Sequence, residues 1–433
     1  MMRKFLSISV LILITGVAVA QHTISLDTCY ARLERNYPLM KNAALISRAV
    51  DLKLKSLNTN YLPHLTIGGQ ASWQSDVPEI DPGIDNPMFD FDMPQVPQDQ
   101  YKLNAELSQV IWDGGATSAA REIESAASRL EQQNLRVNLY ALRNQVNELF
   151  YTILLLQEQL NVLQLNKAGV NDKLDEVQTA VNNDMLIPAA TKELRVHVLD
   201  LEQQIYEAEQ AMKTTEVMLE LLTGEDIPEL AEYLLPARDI NASDSIGRPE
   251  LVVFRLQKEQ LKSRKNMLTK ERYPTFAAFA QAGYARPGLN MFSDTFEPFA
   301  IVGLKFSWTP WEWNKTRHEK QIINLNMQKT DHQREAFLQS VNTEAERYLK
   351  DIRVNENLML QDEEIIELRR DIRLSKESQF SQGSITASQY LDAVNKEAAA
   401  KVKLEIHRIK KSQAIINYLS VTGKNKNAYE SNK

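Results

Sequence analysis

Cysteine is nearly missing from this 433-residue chain: Cys29 stands alone, so no internal disulfide can form. It lies too far past the N-terminal apolar run to be the lipidated first residue of a lipoprotein, and it reads as a small apolar residue on a helix face. Basic charge is in deficit, with 50 Lys and Arg against 57 Asp and Glu, which removes the footprint of a nucleic-acid binder. Beyond the N-terminus no segment reaches 18 consecutive apolar residues, so a protein of membrane-spanning helices is excluded. A β-barrel is not, because its strands leave only short alternating signals. The six histidines, His22, His64, His197, His318, His332 and His407, show no metal-ligand spacing. Neither a Gly-rich phosphate loop nor a nucleophile elbow occurs. No catalysis, cofactor or metal is expected.

What is present starts with Arg3-Lys4, an apolar run from Phe5 to Val19, and the small residues Ala18-Val19-Ala20 before Gln21. This is the pattern of a secretory signal peptide over 1–20, and the run is shorter than the roughly 20 residues a spanning helix needs. Removing it takes two basic residues and no acidic one, leaving a formal charge of −9 (48 basic against 57 acidic).

The mature chain repeats itself. Pro38 precedes Pro63 by 25 residues (63 − 38), and Pro249 precedes Pro274 by 25 (274 − 249). Trp112 precedes Gly224 by 112 residues (224 − 112), and Trp311 precedes Gly423 by 112 (423 − 311). A period near 200 is too long for a solenoid and marks a duplicated structural unit. The boundaries read as a first repeat over 21–224, a linking segment over 225–247, a second repeat over 248–423 and a tail over 424–433.

Within each repeat the hydrophobic period changes from two to 3.6. Leu65, Ile67, Gly69, Ala71 and Trp73 alternate with polar residues, as do Tyr101, Leu103, Ala105 and Leu107, giving strands at about 64–74 and 100–111. In the second copy Phe276, Ala278, Ala280, Ala282 and Tyr284, then Ala300, Val302, Leu304, Phe306 and Trp308, put strands at about 275–285 and 299–309. Each is long enough to cross a bilayer as a tilted strand and carries aromatic ends. A half-buried hairpin in a soluble sandwich has the same period. Four strands cannot close a barrel, so closure in lipid needs several copies of the chain.

Helical hairpins follow at 116–223 and 315–422. Leu135, Leu139, Leu142, Val146, Leu149 and Ile153 recur at three and four, and arms of about 65 residues span about 100 Å at 1.5 Å per residue. Such lengths indicate coiled-coil or tubular packing. The hairpin tips fall at Asp184-Met185-Leu186 and Gly383-Ser384-Ile385, where Thr386 or Ser388 is placed to cap the returning helix and Pro188 suits its first turn. Trp112-Asp113-Gly114-Gly115 and Trp311-Glu312-Trp313-Asn314 mark the strand-to-helix turns, and Gly tolerates the positive φ such a turn needs. The segment Ser75 to Asp99 carries seven carboxylates, five prolines and no Lys or Arg; it reads as a solvated loop at the end of the strands away from the helices.

These residues resemble the TolC-like outer membrane efflux proteins over nearly the whole mature chain. The match runs through Asn36-Tyr37-Pro38, the Tyr61-Leu62-Pro63 and Tyr273-Pro274 strand entries, Trp112-Asp113-Gly114-Gly115, Gly383-Ser384-Ile385-Thr386 with Tyr390-Leu391-Asp392-Ala393, and the closing Thr-Gly of each repeat. The resemblance implies a mainly α protein with a β-barrel membrane part. It would be a homotrimer with a 12-stranded barrel among the outer membrane lipids of a Gram-negative bacterium, continued into the periplasm by a 12-helix tube. It implies a passive exit duct for small molecules, fed by an inner-membrane pump of RND or ABC type through a periplasmic adaptor docked at the tips. The alternatives are a type I protein secretion duct and, outside the family, a coiled-coil scaffold without a pore. Carried over by motif, Asp392 stands where an aspartate lines the family's constriction, and Gln389 stands where a second aspartate would be. Phe380 and Ile385 replace the Tyr and Arg of a polar latch, so closure would rest on apolar packing at Phe380.

Overall fold

A computed structural model describes residues 23–78, 96–183, 187–228, 231–240 and 246–424. In chain order the elements are β1 (Thr23–Ile24), α1 (Leu26–Asn36), α2 (Lys41–Asn58), β2 (His64–Trp73), β3 (Asp99–Trp112), α3 (Ala116–Asn182), α4 (Pro188–Thr223), β4 (Glu232–Tyr233), α5 (Pro249–Lys270), β5 (Thr275–Arg286), β6 (Glu297–Ser307), α6 (Lys315–Ser381) and α7 (Ala387–Thr422). No described helix is long and apolar enough to cross a membrane. The chain divides into two compact units, each drawn from both sequence repeats.

One unit takes the described parts of Met1–Met40, Leu139–Gly247 and Val341–Lys433 and is helical. Its helices end where local chemistry stops them. Ser25 caps α1 by accepting from the Thr28 N–H at 3.2 Å. Pro188 opens α4, whose last carbonyls are closed by Gly224 at φ 68°, and Gly423 at φ 72° does the same for α7. Left-handed backbone at a helix C-terminus is cheap only for a residue without Cβ. Tyr30, Leu33, Val146, Phe150, Tyr151, Leu219 and Ile416 are fully buried together, and each such side chain contributes about 1.5–3 kcal/mol. Cys29 is part of this core, and burial pushes its thiol up to about 12, so it stays a neutral packing group. The polar atoms inside are paired: Tyr30 donates to the buried Asn147 side chain, and the Tyr151 and Ser412 hydroxyls lie 2.9 Å apart. The two-residue β1 pairs in parallel with β4 beside this core.

The other unit takes Lys41–Asn138 and Arg248–Ser340. It contains a four-stranded antiparallel sheet in the order β2-β3-β5-β6. Register aligns the apolar positions in rows across all four strands, Leu65-Leu107-Ala280-Val302 and Ile67-Ala105-Ala282-Ala300, so one face is continuously apolar. That face is open: Ile67, Val302 and Leu304 are 73%, 82% and 78% exposed. The opposite face carries Thr66, Glu106 and Gln281 in one row. Among the described residues the sheet does not close, and β2 and β6 each pair on one side only.

Candidate functional site

Two places in each repeat carry the sequence-predicted residues, the strand-to-helix turn and the hairpin tip. In the first turn Gly114 and Gly115 adopt φ 70° and 87°, reversing the chain between β3 and α3. The Asp113 carboxylate fixes the turn by accepting from the Gly115 N–H at 2.9 Å, the Thr117 N–H at 2.6 Å and the Tyr61 hydroxyl at 2.7 Å. Partial burial pushes Asp113 up, but these hydrogen bonds outweigh it and hold its carboxyl below the ordinary carboxylate range. The second turn uses the same geometry with different residues. Glu312 accepts from the Thr316 N–H at 3.1 Å and from its hydroxyl, while Trp313 and Asn314 hold φ 52° and 63°. Hence the positive-φ pair is Gly-Gly in one copy and Trp-Asn in the other. The sequence offset of 199 between the turns (311 − 112) aligns them, although only the first copy carries the glycines that signal such a conformation.

At the second tip, Gly383 turns the chain at φ 70° with no heavy atom within 4 Å of an added Cβ. Thr386 caps α7 in a capping box: its hydroxyl accepts from the Gln389 N–H, and the Gln389 side chain accepts from the Thr386 N–H. Gln389 is therefore tied to its own helix end. Ile385 packs partly buried against a hydrophobic cluster, and Ser384 is exposed. Of the first tip, Asp184, Met185 and Leu186 lie outside the described residues.

Phe380 is only 1% exposed and stacks on Tyr390, ring centroids 5.4 Å apart and planes 5° off parallel. It packs where the two hairpins of the chain meet, among Val177 of α3, Leu194 of α4 and Leu391 of α7. Asp392 stands on the open side of α7, its side chain 59% exposed, with Lys396 Nζ 2.6 Å from its carboxylate.

Behind Phe380 lies an ion network that the sequence pattern did not reveal. Lys173 of α3, 8% exposed, meets Glu176 at 2.6 Å and Glu377 of α6 at 3.9 Å, and stands 5.8 Å from the Tyr390 ring centre. Arg373 of α6 joins Glu377 at 2.7 Å and Glu397 of α7 at 2.5 Å, and Lys401 meets Glu397 at 2.8 Å. Burial raises the Glu397 carboxyl, but hydrogen bonds from Lys401 and Arg373 overcome it and keep the group low. Burial pushes the Tyr390 hydroxyl up to about 12. Three of the network's pairs are local helix spacings, Lys173/Glu176 at i,i+3 and Arg373/Glu377 and Glu397/Lys401 at i,i+4. The cross-helix partners depend on tertiary packing. Among the described residues no group of His, Cys, Asp and Glu is arranged to hold a metal ion.

Among the described residues the chain thus combines an open sheet with one apolar face and two edges without partners with paired hairpins of 67- and 36-residue helices. Residues 30–225, most of the first repeat, match the model of the outer membrane efflux protein family. The chain's fold is shared with the transmembrane channel CusC, at 12% identity over 92% of this chain and 91% of that one, TM-score 0.68. It is shared with the Campylobacter jejuni CmeC outer membrane channel, at 13% identity over 94% and 88%, TM-score 0.62. The Neisseria gonorrhoeae MtrE outer membrane channel in its open state gives 14% over 92% and 88%, TM-score 0.63. No curated protein matches by sequence.

Proposed function

We propose that three copies of this chain close a 12-stranded barrel in the outer membrane and a 12-helix tube below it. The assembly is the passive exit duct of a tripartite system that exports small molecules. The observation that carries this reading is the sheet itself. Its apolar face has no protein cover, and β2 and β6 have unpaired edges, which lipid tolerates only if further copies pair them. The sheet's two outer strands are complementary in kind, so β6 of one copy would pair with β2 of the next.

The duct accepts its cargo from an inner-membrane pump of RND or ABC type through a periplasmic adaptor. The adaptor meets the tips at Asp184-Met185-Leu186 and Gly383-Ser384-Ile385, where the open surroundings of Gly383 leave room for another chain. Asp392 contributes one of three carboxylates to a constriction, and its Lys396 partner offsets much of the ring's charge. Phe380 and Ile385 set the bore from behind by fixing the hairpin, and Gln389 holds the start of α7.

Membrane fractionation with mass measurement in detergent tests the architecture: an outer-membrane trimer is expected, and a soluble monomer would overturn it. Replacing Gly383 and Leu186 with bulky charged residues tests docking. Transport should vanish while the trimer stays in the membrane, and unchanged transport would remove the tip assignment.

A further inference from the structure

The second strand-to-helix turn carries three large side chains with no place in a core. Trp308, Trp311 and Trp313 are 53%, 69% and 81% exposed, and the last two meet edge to face at 5.7 Å. They continue the open apolar row of β6 at its helix-side end, after Leu304 and Phe306. Trp313 also holds left-handed backbone, φ 52°, which costs an L-residue about 1–2 kcal/mol.

The turn does not require Trp308 or Trp313, because the first repeat makes the same turn with only Trp112, the counterpart of Trp311. At the offset of 199, Gln109, Gly114, Ala116 and Ser118 stand where Trp308, Trp313, Lys315 and Arg317 stand. The second copy has thus gained two tryptophans and two cations at one spot.

Beside the tryptophans is a cleft of about 390 Å³ lined by Lys265, Arg272, Arg317 and Lys320, with Thr316, Gln321 and Asn324. Lys265 bonds the neutral Asn324 at 2.9 Å. Glu312 reaches Arg272 Nε only at 4.0 Å and is committed to Thr316; Glu271 and Glu319 are the other acids in this stretch. All the charged residues that line the cleft are therefore cations, beside three neutral polar ones. It is joined to the aromatic row, since the Trp308 indole N–H donates to the Arg272 carbonyl at 3.2 Å.

We propose that this turn seats an anionic phospholipid of the periplasmic leaflet, with its phosphate in the basic cleft and its acyl chains along the β6 row. The proposal rests on the reading that these strands cross the outer membrane. Indole rings favour the boundary between headgroups and hydrocarbon, and clustered Lys and Arg at that depth hold anionic headgroups. Zwitterionic lipid would satisfy the tryptophans and bring the same phosphate, but its ammonium would be repelled by the surplus cations.

Native mass spectrometry of the full-length protein in detergent, titrated with phosphatidylglycerol and with phosphatidylethanolamine, tests it. Phosphatidylglycerol should be retained in up to three copies per trimer and in preference to phosphatidylethanolamine. The triple change Arg272→Gln, Arg317→Gln, Lys320→Gln should lower that preference by at least about tenfold. Trp313→Gly, which suits the backbone there, should weaken retention of both lipids. Equal retention of the two lipids, or a triple variant that keeps the preference, would overturn the assignment while the trimer stands. Absence of a membrane-inserted trimer would overturn the channel reading and this inference together.

Discussion

Replacing Gly114 with alanine measures how closely the first strand-to-helix turn is built. At φ 70° an L-residue costs about 1–2 kcal/mol. The new Cβ would stand 2.6 Å from Tyr273 Cβ and 3.0 Å from the Lys270 carbonyl oxygen. Both contacts involve atoms fixed to the chain, so backbone must move, and overpacking of this kind adds about 1–3 kcal/mol. The sum is about 2–5 kcal/mol per chain. At about 2–4 °C per kcal/mol for a unit of 150–250 residues, this lowers the melting temperature by on the order of 10 °C. The second turn supplies the control. Trp313→Gly relieves about 1 kcal/mol of backbone strain against about 0.4–1 kcal/mol of added freedom in the unfolded chain, so stability should hardly change. Thermal unfolding of the detergent-solubilised protein followed by circular dichroism makes both measurements. A Gly114→Ala variant that melts with the parent, or a Trp313→Gly variant that falls as far as Gly114→Ala, would refute the reasoning.

Asp113, held below the ordinary carboxylate range, adds stability that is present above its unfolded pKa of about 4. That stability is lost as pH falls through the lower folded value, so the melting curves of the parent and Asp113→Asn should differ at neutral pH and converge in acid. Phe380→Ala empties a buried site at a cost of about 3–5 kcal/mol; amide exchange should accelerate around Phe380 and Tyr390 and stay unchanged in the sheet, and protection equal to the parent's would count against the hairpin lock. In planar bilayers Lys396→Ala should raise cation preference and block by divalent ions, because it uncovers Asp392, whereas Asp392→Ala should lower both. Identical recordings from all three channels would remove the carboxylate ring.

Much of this architecture is written in periodicity. The alternation of Leu65, Ile67, Gly69, Ala71 and Trp73 lies on a single strand, His64–Trp73, because a period of two leaves one face apolar whatever covers it. Helix arms are equally legible, since 67 residues from Lys315 to Ser381 contain no breaker. The pairing that assembles compact units from both repeats is a tertiary choice with no local signature. The inward aim of Phe380 was hidden for the same reason: sequence spacing fixes a helix face, and the neighbour on that face is supplied by another helix. Trp313 at positive φ contradicts local preference, while Asn314 is a type that tolerates it, so only alignment with Gly114 and Gly115 reveals the pair.

The ladder between β3 and β5 is the seam where the two repeats meet, and both of its strands belong to one polypeptide. In the proposed trimer the β6-to-β2 seam would join strands of equivalent parentage from different polypeptides. Six seams of related ancestry would then alternate around the ring, three tethered by the chain and three held by contact alone. A ring with six equal seams can open anywhere, but this one would come apart only at three. The tether also frees the two halves to diverge, which is how one turn can keep paired glycines while its counterpart carries tryptophan.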